Sequence, residues 1–375
     1  MRSSGKGDSP VAGEIRRLIE RGGAIPFETY MERALYAPEG GYYTSGNEVW
    51  GRGGDYLTSV DMSPVFARVM AKQAHEMWVA LGSPDRFHLV EVGAGRGTLS
   101  SAIREAVRLH YPHFSPALSS ILVDPSPSLK GDKGAACYGT IEELPRKIVG
   151  CILSNELLDA FPVHIVVQGE KLEEVYVDCE GGAFVERLGP LSTPALEDYL
   201  DSAGVSLQEG QRIEINLRAL DWIKKAAGAL EKGFVTTIDY GYPAKEYFIP
   251  RRGGHLLCYY RHTVNEKPFE RAGLQDMTSH VDFSALARSG RDAGLTVEGF
   301  TTQLNYLLGM GILEELEEVA AFDERGVESI ARNQGIKRLI MPGGMGDMFK
   351  VLIQSTGVRG ASLGGFGFKD LKEAL

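Results

Sequence analysis

The sequence contains few cysteines, no long apolar run and no excess of basic residues. Its four cysteines form no Cys-x-x-Cys pair and no cluster with histidine at zinc-ligand spacing, so neither a disulfide framework nor a structural zinc site is expected. No run of about 18 uninterrupted apolar residues occurs, and no transmembrane helix is expected. Lysine and arginine together number 40, against 50 aspartates and glutamates. Because a phosphate-binding surface needs clustered cations, nucleic acid is not expected as a partner.

The rest of the composition is typical of a globular protein. The 375 residues are 43% hydrophobic and 24% charged, enough to bury a core in one large domain or two modest ones. The N-terminal segment lacks the apolar core of a secretory signal, and its acidic residues argue against a transit peptide. We therefore expect reduced, buried thiols and a cytoplasmic location.

Apolar strands and amphipathic helices alternate from residue 87 onward, which predicts a parallel sheet with helices on both faces. Residues 163–188 break the pattern, because apolar and polar residues alternate across two glycine-containing turns, and an antiparallel meander is expected there. Residues 24–62, rich in glycine and tyrosine, are interpreted as a loop that either binds a ligand or straps the core. The predicted helices lie at about 11–21, 63–81, 98–109, 141–147, 217–230, 283–293 and 313–322, and the predicted strands at 88–92, 120–124, 136–138, 150–155, 233–241, 254–260 and 348–354.

Residues 87–99, FHLVEVGAGRGTL, place three alternate glycines after a strand that carries an acid. A dinucleotide-binding turn needs its third glycine at position 98, where this chain has threonine. The observed spacing, with Glu91 before Gly93, Gly95 and Gly97, resembles the first motif of Rossmann-like methyltransferases that bind S-adenosylmethionine (SAM). SAM carries no phosphate, so the missing side chains would let the backbone approach the cofactor, and the acid could pair with its ammonium group. A tight turn without a ligand is the alternative.

An acid at the end of the next strand is the second feature expected of a SAM site, because its oxygens can accept hydrogen bonds from the ribose hydroxyls. Asp124 ends the next apolar strand and fits this role. Pro125 and Ser126 then turn the chain over the predicted adenine side.

Polar residues also end the strand at 150–155, and ligands of an open parallel sheet bind beyond the carboxyl ends of its strands. Asn155 and Glu156 are therefore predicted to face the methyl-donor end of the cofactor. Asp159 follows three residues later, about one helical turn, so its carboxylate is expected on the same face as that of Glu156. Paired carboxylates suit a guanidinium, which must be oriented and lose a proton before it can accept a methyl group. Alternatively, Asn155 and Asp159 cap and hold a loop.

Asp239 and Tyr240 end a further strand on the far side of the same predicted pocket. The ring of Tyr240 could contact the positive sulfonium of the cofactor, or it could pack in the core. His262 and His280 are candidate bases or structural groups. The acids at 276–282 either belong to a site or cap the helix that follows.

Seven stretches, spread from the first helix almost to the C-terminus, carry a resemblance to one family. They are PFETYMERALYAPEGGYY (26–43), GDYLTSVDMSPVFA (54–67), VEVGAGRGTL (90–99), SNELLDAFPV (154–163), TIDYG (237–241), MTSHVDF (277–283) and PGGMGDMFKVL (342–352). They resemble the MidA family of SAM-dependent methyltransferases, formerly a domain of unknown function. The resemblance implies that Asp55, Thr58 and Ser59 cover the cofactor, and that Ala94 belongs to its glycine turn.

The resemblance also implies a fold of the α/β class. We expect a Rossmann-like class I methyltransferase sheet with helices on both faces, and a smaller lobe built from the antiparallel insertion and the N-terminal segment. The expected parts are an N-terminal helix and cofactor-covering loop (1–62), the core (63–162 and 217–355), an inserted meander and helix (163–216) and a glycine-rich tail (356–375).

The leading hypothesis is a SAM-dependent methyltransferase that methylates a protein side chain, arginine above all. The family includes a mitochondrial arginine methyltransferase that assists assembly of respiratory complex I, which implies a protein or peptide acceptor such as a respiratory-complex subunit. Asn155, Glu156, Asp159 and Tyr240 would act on the acceptor, without a metal. The alternatives are an assembly factor or partner-binding protein with a non-catalytic SAM site, and a small-molecule methyltransferase. A monomer and a homodimer both stay open.

Overall fold

The computed structural model describes residues 9–45, 64–125, 134–144, 147–251, 253–261, 263–314, 327–341 and 343–375. The helices are α1 (Pro10–Gly22), α2 (Phe27–Tyr36), α3 (Pro64–Ala80), α4 (Thr98–His110), α5 (Ala195–Ala203), α6 (Leu217–Ala229), α7 (Ala244–Tyr247), α8 (Phe283–Asp292), α9 (Gln303–Gly309), α10 (Val327–Ile340) and α11 (Met345–Met348). Short 3₁₀ turns lie at Ile141–Glu143, Gly364–Phe366 and Lys372–Ala374. Within these ranges, no helix combines the length and the apolar character needed to cross a membrane.

The strands of the described ranges fall into three sheets. They are β1 (Ile25–Pro26), β2 (Phe87–Val92), β3 (Leu118–Val123), β4 (Ala135–Tyr138), β5 (Ile148–Asn155), β6 (His164–Gln168), β7 (Leu172–Glu180), β8 (Ala183–Gly189), β9 (Arg212–Ile215), β10 (Leu230–Tyr242), β11 (Leu256–Tyr260), β12 (Thr263–Asn265), β13 (Asp276–Ser279), β14 (Val281–Asp282), β15 (Thr296–Thr302) and β16 (Phe349–Thr356).

The chain divides into two compact units. The larger unit comprises Leu57–Leu158, Ala219–Tyr247 and Val281–Leu375, and the smaller unit comprises Met1–Tyr56, Asp159–Arg218 and Phe248–His280. Both units are thus assembled from segments that are distant in the sequence.

The larger unit is built on a sheet with the strand order β15-β16-β10-β5-β2-β3-β4, and the short β14 adds to the end of β10. The five strands from β4 to β10 are parallel, and β16 runs antiparallel to both of its neighbours. The alternation of apolar strands with helices predicts the parallel part, because a helix such as α4, between β2 and β3, returns the chain to the same end of the sheet.

Helices cover both faces of this sheet, as predicted. Ile353 of β16 lies in the apolar cluster that also contains the buried residues of α3 and α4. The next residue, Gln354, points to the opposite face, where its side-chain amide donates to the carbonyl of Ala287 in α8, at 3.2 Å. The fold prediction of an α/β protein with a doubly covered sheet is therefore confirmed.

The smaller unit contains the predicted antiparallel meander. Strands β6, β7 and β8 pair in succession, β9 pairs with β6, and β1 pairs with β7. A separate sheet has the order β12-β11-β13. The boundary prediction placed residues 248–280 in the core, but they belong to the smaller unit, where Leu256, Cys258 and Met277 join its apolar cluster.

Two other expectations were wrong in part. The segment 24–62 was interpreted as a loop, yet α2 forms within it, because its apolar residues recur at three- and four-residue steps and are buried. The expected helix at 141–147 is only a 3₁₀ turn.

The tail beyond residue 355 packs on the larger unit, where Leu363 is buried and the Gly364 amide donates to Glu76 at 2.9 Å. Most of the acidic helix expected at 313–322 lies outside the described residues.

The acid before α8 is a helix cap, which confirms the capping alternative for part of the 276–282 segment. One oxygen of Asp282 accepts the amides of Ser284 and Ala285, both at 3.0 Å.

We expect Asp282→Ala to lower the free energy of unfolding by about 1 kcal/mol, because two amides of the first turn lose their acceptor. Asp282→Asn keeps an acceptor oxygen and should lose clearly less. Equal losses in urea denaturation of the two variants would contradict this role.

Candidate functional site

The candidate site lies in the larger unit, where the strand order reverses between β2 and β5. From β2 the chain continues outward to β3 and β4, and from β5 it continues to β10 on the other side. A crevice forms beyond the carboxyl ends of two such strands, and ligands bind there in open α/β sheets. The residues beyond those ends are the glycine turn after Val92 and the pair Asn155–Glu156.

The glycine turn has a backbone that only glycine adopts readily. Gly93, Gly95 and Gly97 have φ values of 73°, 53° and 71°, in the left-handed region. A Cβ atom on Gly93 would lie 2.8 Å from Cδ1 of Leu157, and one on Gly97 would lie 2.7 Å from Cδ1 of Leu122. The glycines therefore serve two purposes: they form a tight turn, and they leave room for Leu157 in the loop after β5 and for Leu122 of β3.

The carboxylate of Glu91 caps the helix that follows the glycine turn. Its side chain is buried, and one oxygen accepts the amide of Ser100 at 3.0 Å, in the first turn of α4. Gly97, which precedes that helix, has no side chain to provide the cap. Burial raises the pKa of Glu91 to about 7 from its usual 4.5; the hydrogen bonds with Ser100 oppose the rise, and the charge of Asp124 adds to it.

This pKa makes a pH-dependent contribution to stability. A carboxyl whose pKa is higher in the folded than in the unfolded state binds more protons when folded, so stability falls as pH rises from 4.5 to about 7. For the ligand-free protein we expect this loss to reach about 1–3 kcal/mol. Glu91→Gln should remove it while keeping an acceptor for Ser100. The measurement is urea denaturation at pH 5, 6, 7 and 8, and parallel curves for the two proteins would contradict the prediction.

Asp124 links the end of β3 to the glycine turn. One of its oxygens accepts the amide of Gly95 at 2.7 Å, and its own amide donates to the carbonyl of Tyr138 at 3.0 Å. The side chain is half-buried and Pro125 is exposed. This arrangement places a carboxylate beside the turn, as the sequence predicted, and its role toward a ribose stays a prediction. The candidate residues Asp55, Thr58, Ser59 and Ser126 lie outside the described residues.

Asn155 and Glu156 form a polar pair at the end of β5. The side-chain amide of Asn155 donates to the Glu156 carboxylate at 3.1 Å, which fixes the orientation of the amide group. The other side-chain atom of Asn155, Oδ1, is buried and has no hydrogen-bond partner among the described residues. Glu156 itself has φ 54°, an uncommon conformation for a residue other than glycine, and such strain occurs at functional sites.

Asp159 does not stand one helical turn beyond Glu156, so that expectation was wrong. The left-handed conformation at Glu156 turns the chain away, and residues 157–160 are not helical. Asp159 is buried and belongs to the smaller unit, where its carbonyl accepts the amide of Ser279 at 2.8 Å. Its catalytic role stays a prediction.

Tyr240 packs its ring on Phe349, with the ring centroids 3.8 Å apart, which supports the core-packing alternative. His280 belongs to the smaller unit, where its Nδ1 lies 3.3 Å from Nδ1 of His255. Two imidazole nitrogens at that distance can share a hydrogen bond in which one carries the proton and the other accepts it. His262 lies outside the described residues.

The sequence interpretation missed two residues that shape this site. Asp239 was noted only as a strand end, but its carboxylate holds the amides that follow Glu156. Leu157 was not considered, although it occupies the space beside Gly93. For Asp239 the sequence did offer a signal, since an acid stands in the otherwise apolar strand TIDYG. For Leu157 it offered none, because the contact with Gly93 depends on packing.

One protein family has a profile that matches residues 69–301, and its description is "Putative S-adenosyl-L-methionine-dependent methyltransferase". Among curated proteins, the chain is similar to mitochondrial protein arginine methyltransferase NDUFAF7 of zebrafish (Danio rerio), at 28% identity over 93% of this chain and 87% of the relative. The human protein of that name is 28% identical over 91% of this chain and 83% of the relative.

Two crystal structures of proteins from Burkholderia thailandensis resemble the whole chain. One, solved with S-adenosyl-homocysteine bound, has a TM-score of 0.86 and 32% identity and covers 97% of this chain and 96% of that one. The other has a TM-score of 0.84 and the same identity and coverage. The similarity therefore extends across both units of the fold.

Proposed function

Because the chain belongs to the family of S-adenosyl-L-methionine-dependent methyltransferases, we propose that it methylates the guanidinium of an arginine side chain in a protein acceptor. SAM is its methyl donor. The arginine acceptor is the part of this proposal that experiment must establish.

The glycine turn fits a SAM cofactor. Its three glycines form a tight left-handed turn beyond the end of β2, and Asp124 is hydrogen-bonded to it. Gly93, Gly95 and Gly97 would carry the methionine end, and Asp124 would accept hydrogen bonds from the ribose. When bound, SAM supplies an electrophilic methyl group on a sulfonium.

The observation that carries the proposal is the Oδ1 of Asn155, which is buried without a partner in the described part of the chain, next to the Glu156 carboxylate. A buried acceptor without a donor is costly unless a ligand provides one. A guanidinium presents several N–H donors in one plane and could bond to both side chains at once. The pair therefore suits a planar cationic acceptor better than a neutral hydroxyl.

Glu156 would perform two tasks in the reaction. Its carboxylate would orient the guanidinium, which stays protonated in water because its pKa is above about 12. The same carboxylate would accept the proton that the attacking nitrogen loses on methylation. Asn155 would hold the Glu156 carboxylate in place through its amide hydrogens.

The names of the relatives support this acceptor class. The zebrafish and human proteins are called protein arginine methyltransferases, and both are mitochondrial. A respiratory-complex subunit is accordingly our proposed type of acceptor. The cytoplasmic location expected from the sequence stays a prediction, which cell fractionation would test.

The experiment is to incubate the protein with SAM labelled in its methyl group and a lysate from a strain that lacks this gene. Mass spectrometry of the labelled proteins should locate the label on arginine. Label on another residue, or only on small molecules, would contradict the proposed acceptor. A Gly95→Trp protein, in which the turn is blocked, is the control for other methyltransferases in the lysate.

A further inference from the structure

Asp239 is a fully buried carboxylate beside the candidate site, and the mechanism above gives it no task. It lies near the carboxyl end of β10 and is 0% exposed. Its Oδ2 accepts the amides of Leu157 at 3.2 Å and Leu158 at 2.8 Å, and its Oδ1 accepts the amide of Tyr240 at 2.9 Å. A carboxylate at this depth is tolerated only when it is well hydrogen-bonded.

These bonds replace the strand pairing at the point where it stops. The parallel pairing of β5 with β10 ends with Asn155 opposite Ile238. The amide of Glu156 then donates to the carbonyl of Ile238 at 3.0 Å, and the next two amides donate to Asp239. Three consecutive peptide groups after Asn155 are thus held by two consecutive residues of β10.

The held segment contains the strained conformation of Glu156. A left-handed φ is unfavourable for a residue with a side chain, so the surrounding contacts must maintain it. Leu157 also contacts the position above Gly93. The segment that Asp239 fixes therefore runs from the proposed acceptor pair to the glycine turn.

We propose that Asp239 is a positioning residue for methyl transfer: its carboxylate fixes the peptide groups that aim the Asn155 and Glu156 side chains. This inference rests on the proposed methylation of arginine at the same site. Catalytic groups that are displaced by about 1 Å can lose roughly 100-fold in rate, because the reacting atoms no longer meet in line.

The test is Asp239→Asn, which keeps the side-chain volume but replaces one acceptor oxygen with an N–H₂ group that faces backbone N–H groups. We expect kcat on an arginine acceptor peptide, per SAM-binding site, to fall roughly 10–100-fold. The affinity for S-adenosyl-homocysteine should change less than about threefold. Calorimetric titration with S-adenosyl-homocysteine gives the number of sites that bind this ligand. Because kcat is divided by that number, unfolded protein in the sample does not lower it.

Asp370→Asn is the matched control. Asp370 also accepts two backbone amides, those of Phe300 at 3.2 Å and Lys372 at 3.0 Å, but it lies in the C-terminal tail. Its replacement should lower thermal stability without changing kcat per site. An unchanged kcat per site in Asp239→Asn, or an equal loss in both variants, would overturn the proposal.

Hydrogen exchange separates this proposal from the proposed function. In Asp239→Asn the amides of Glu156, Leu157 and Leu158 should exchange faster, while those of β2 and β16 keep their protection. If the wild-type protein methylates no arginine peptide, the proposed function fails, and the exchange rates alone decide whether Asp239 fixes the segment. Unchanged exchange at these three amides would overturn the inference whatever the acceptor is.

Discussion

Gly95→Trp is expected to weaken SAM binding at least about 100-fold, or about 2.7 kcal/mol, with the fold retained. Gly95 is the middle glycine of the turn and has φ 53°. Its amide donates to Asp124, so the turn and the proposed ribose acceptor are joined at this residue. An indole at this position would add bulk to the turn that is proposed to hold the cofactor, and the strained backbone would displace the bond to Asp124.

A second glycine shows whether a strained tryptophan elsewhere in the larger unit affects SAM binding. Gly82 follows α3 in the larger unit, has φ 85°, and a Cβ there would meet no atom within 4 Å. Gly82→Trp carries the same type of backbone strain without blocking the turn, and its affinity for SAM should match the wild type. Calorimetry measures both affinities, with circular dichroism as the check on folding. Wild-type affinity in Gly95→Trp would remove the glycine turn from the cofactor site.

Glu156→Gln is expected to lower kcat roughly 10²–10⁴-fold, with little change in SAM affinity. The substitution keeps an oxygen that can accept the Asn155 amide, so the local geometry should persist. It removes the negative charge that would pair with the guanidinium and accept its proton. The effect should therefore appear in the rate of transfer and in the affinity for the acceptor, and not in the binding of the methyl donor.

Glu231→Gln is the matched control, because Glu231 is an exposed acid at the opposite end of β10. It should retain wild-type kcat in the same assay. The pair of variants also tests the alternative of a partner-binding protein with a non-catalytic SAM site. If cells that carry Glu156→Gln retain full function while methyl transfer is lost, the chemistry is not the essential activity. If Glu156→Gln transfers methyl groups at the wild-type rate, Glu156 is not the proton acceptor.

Much of the candidate site was predictable because its signals are local. Alternate glycines after a strand indicate a turn with left-handed residues, and Gly93, Gly95 and Gly97 all have that conformation. Asn155 and Glu156 follow an apolar run, and that run proved to be the central strand β5. The expectation for Asp159 was also based on a local signal, the spacing of residues along a helix. It was wrong because the left-handed turn at Glu156 prevents a helix there.

Other features depend on segments that are distant in the sequence. Asp239 bonds to amides 81 and 82 positions earlier in the chain, and no periodicity predicts such a contact. The Glu91 carboxylate accepts the amide of Ser100, nine positions later, and its pairing with the cofactor's ammonium group stays a prediction. Residues 248–280 joined the smaller unit because their apolar side chains pack with those of its other segments.

The glycine turn, the parallel core and the polar ends of its strands follow from the amino-acid sequence, because backbone conformation and apolar periodicity are properties of neighbouring residues. Tertiary contacts determine which buried side-chain oxygens hold the backbone and which remain for a ligand. Glu91 and Asp239 both satisfy amide groups of the fold, whereas the buried Oδ1 of Asn155 has no donor among the described residues. Whether a polar atom finds a partner depends on what the folded chain brings beside it, and that is set by packing across the whole unit.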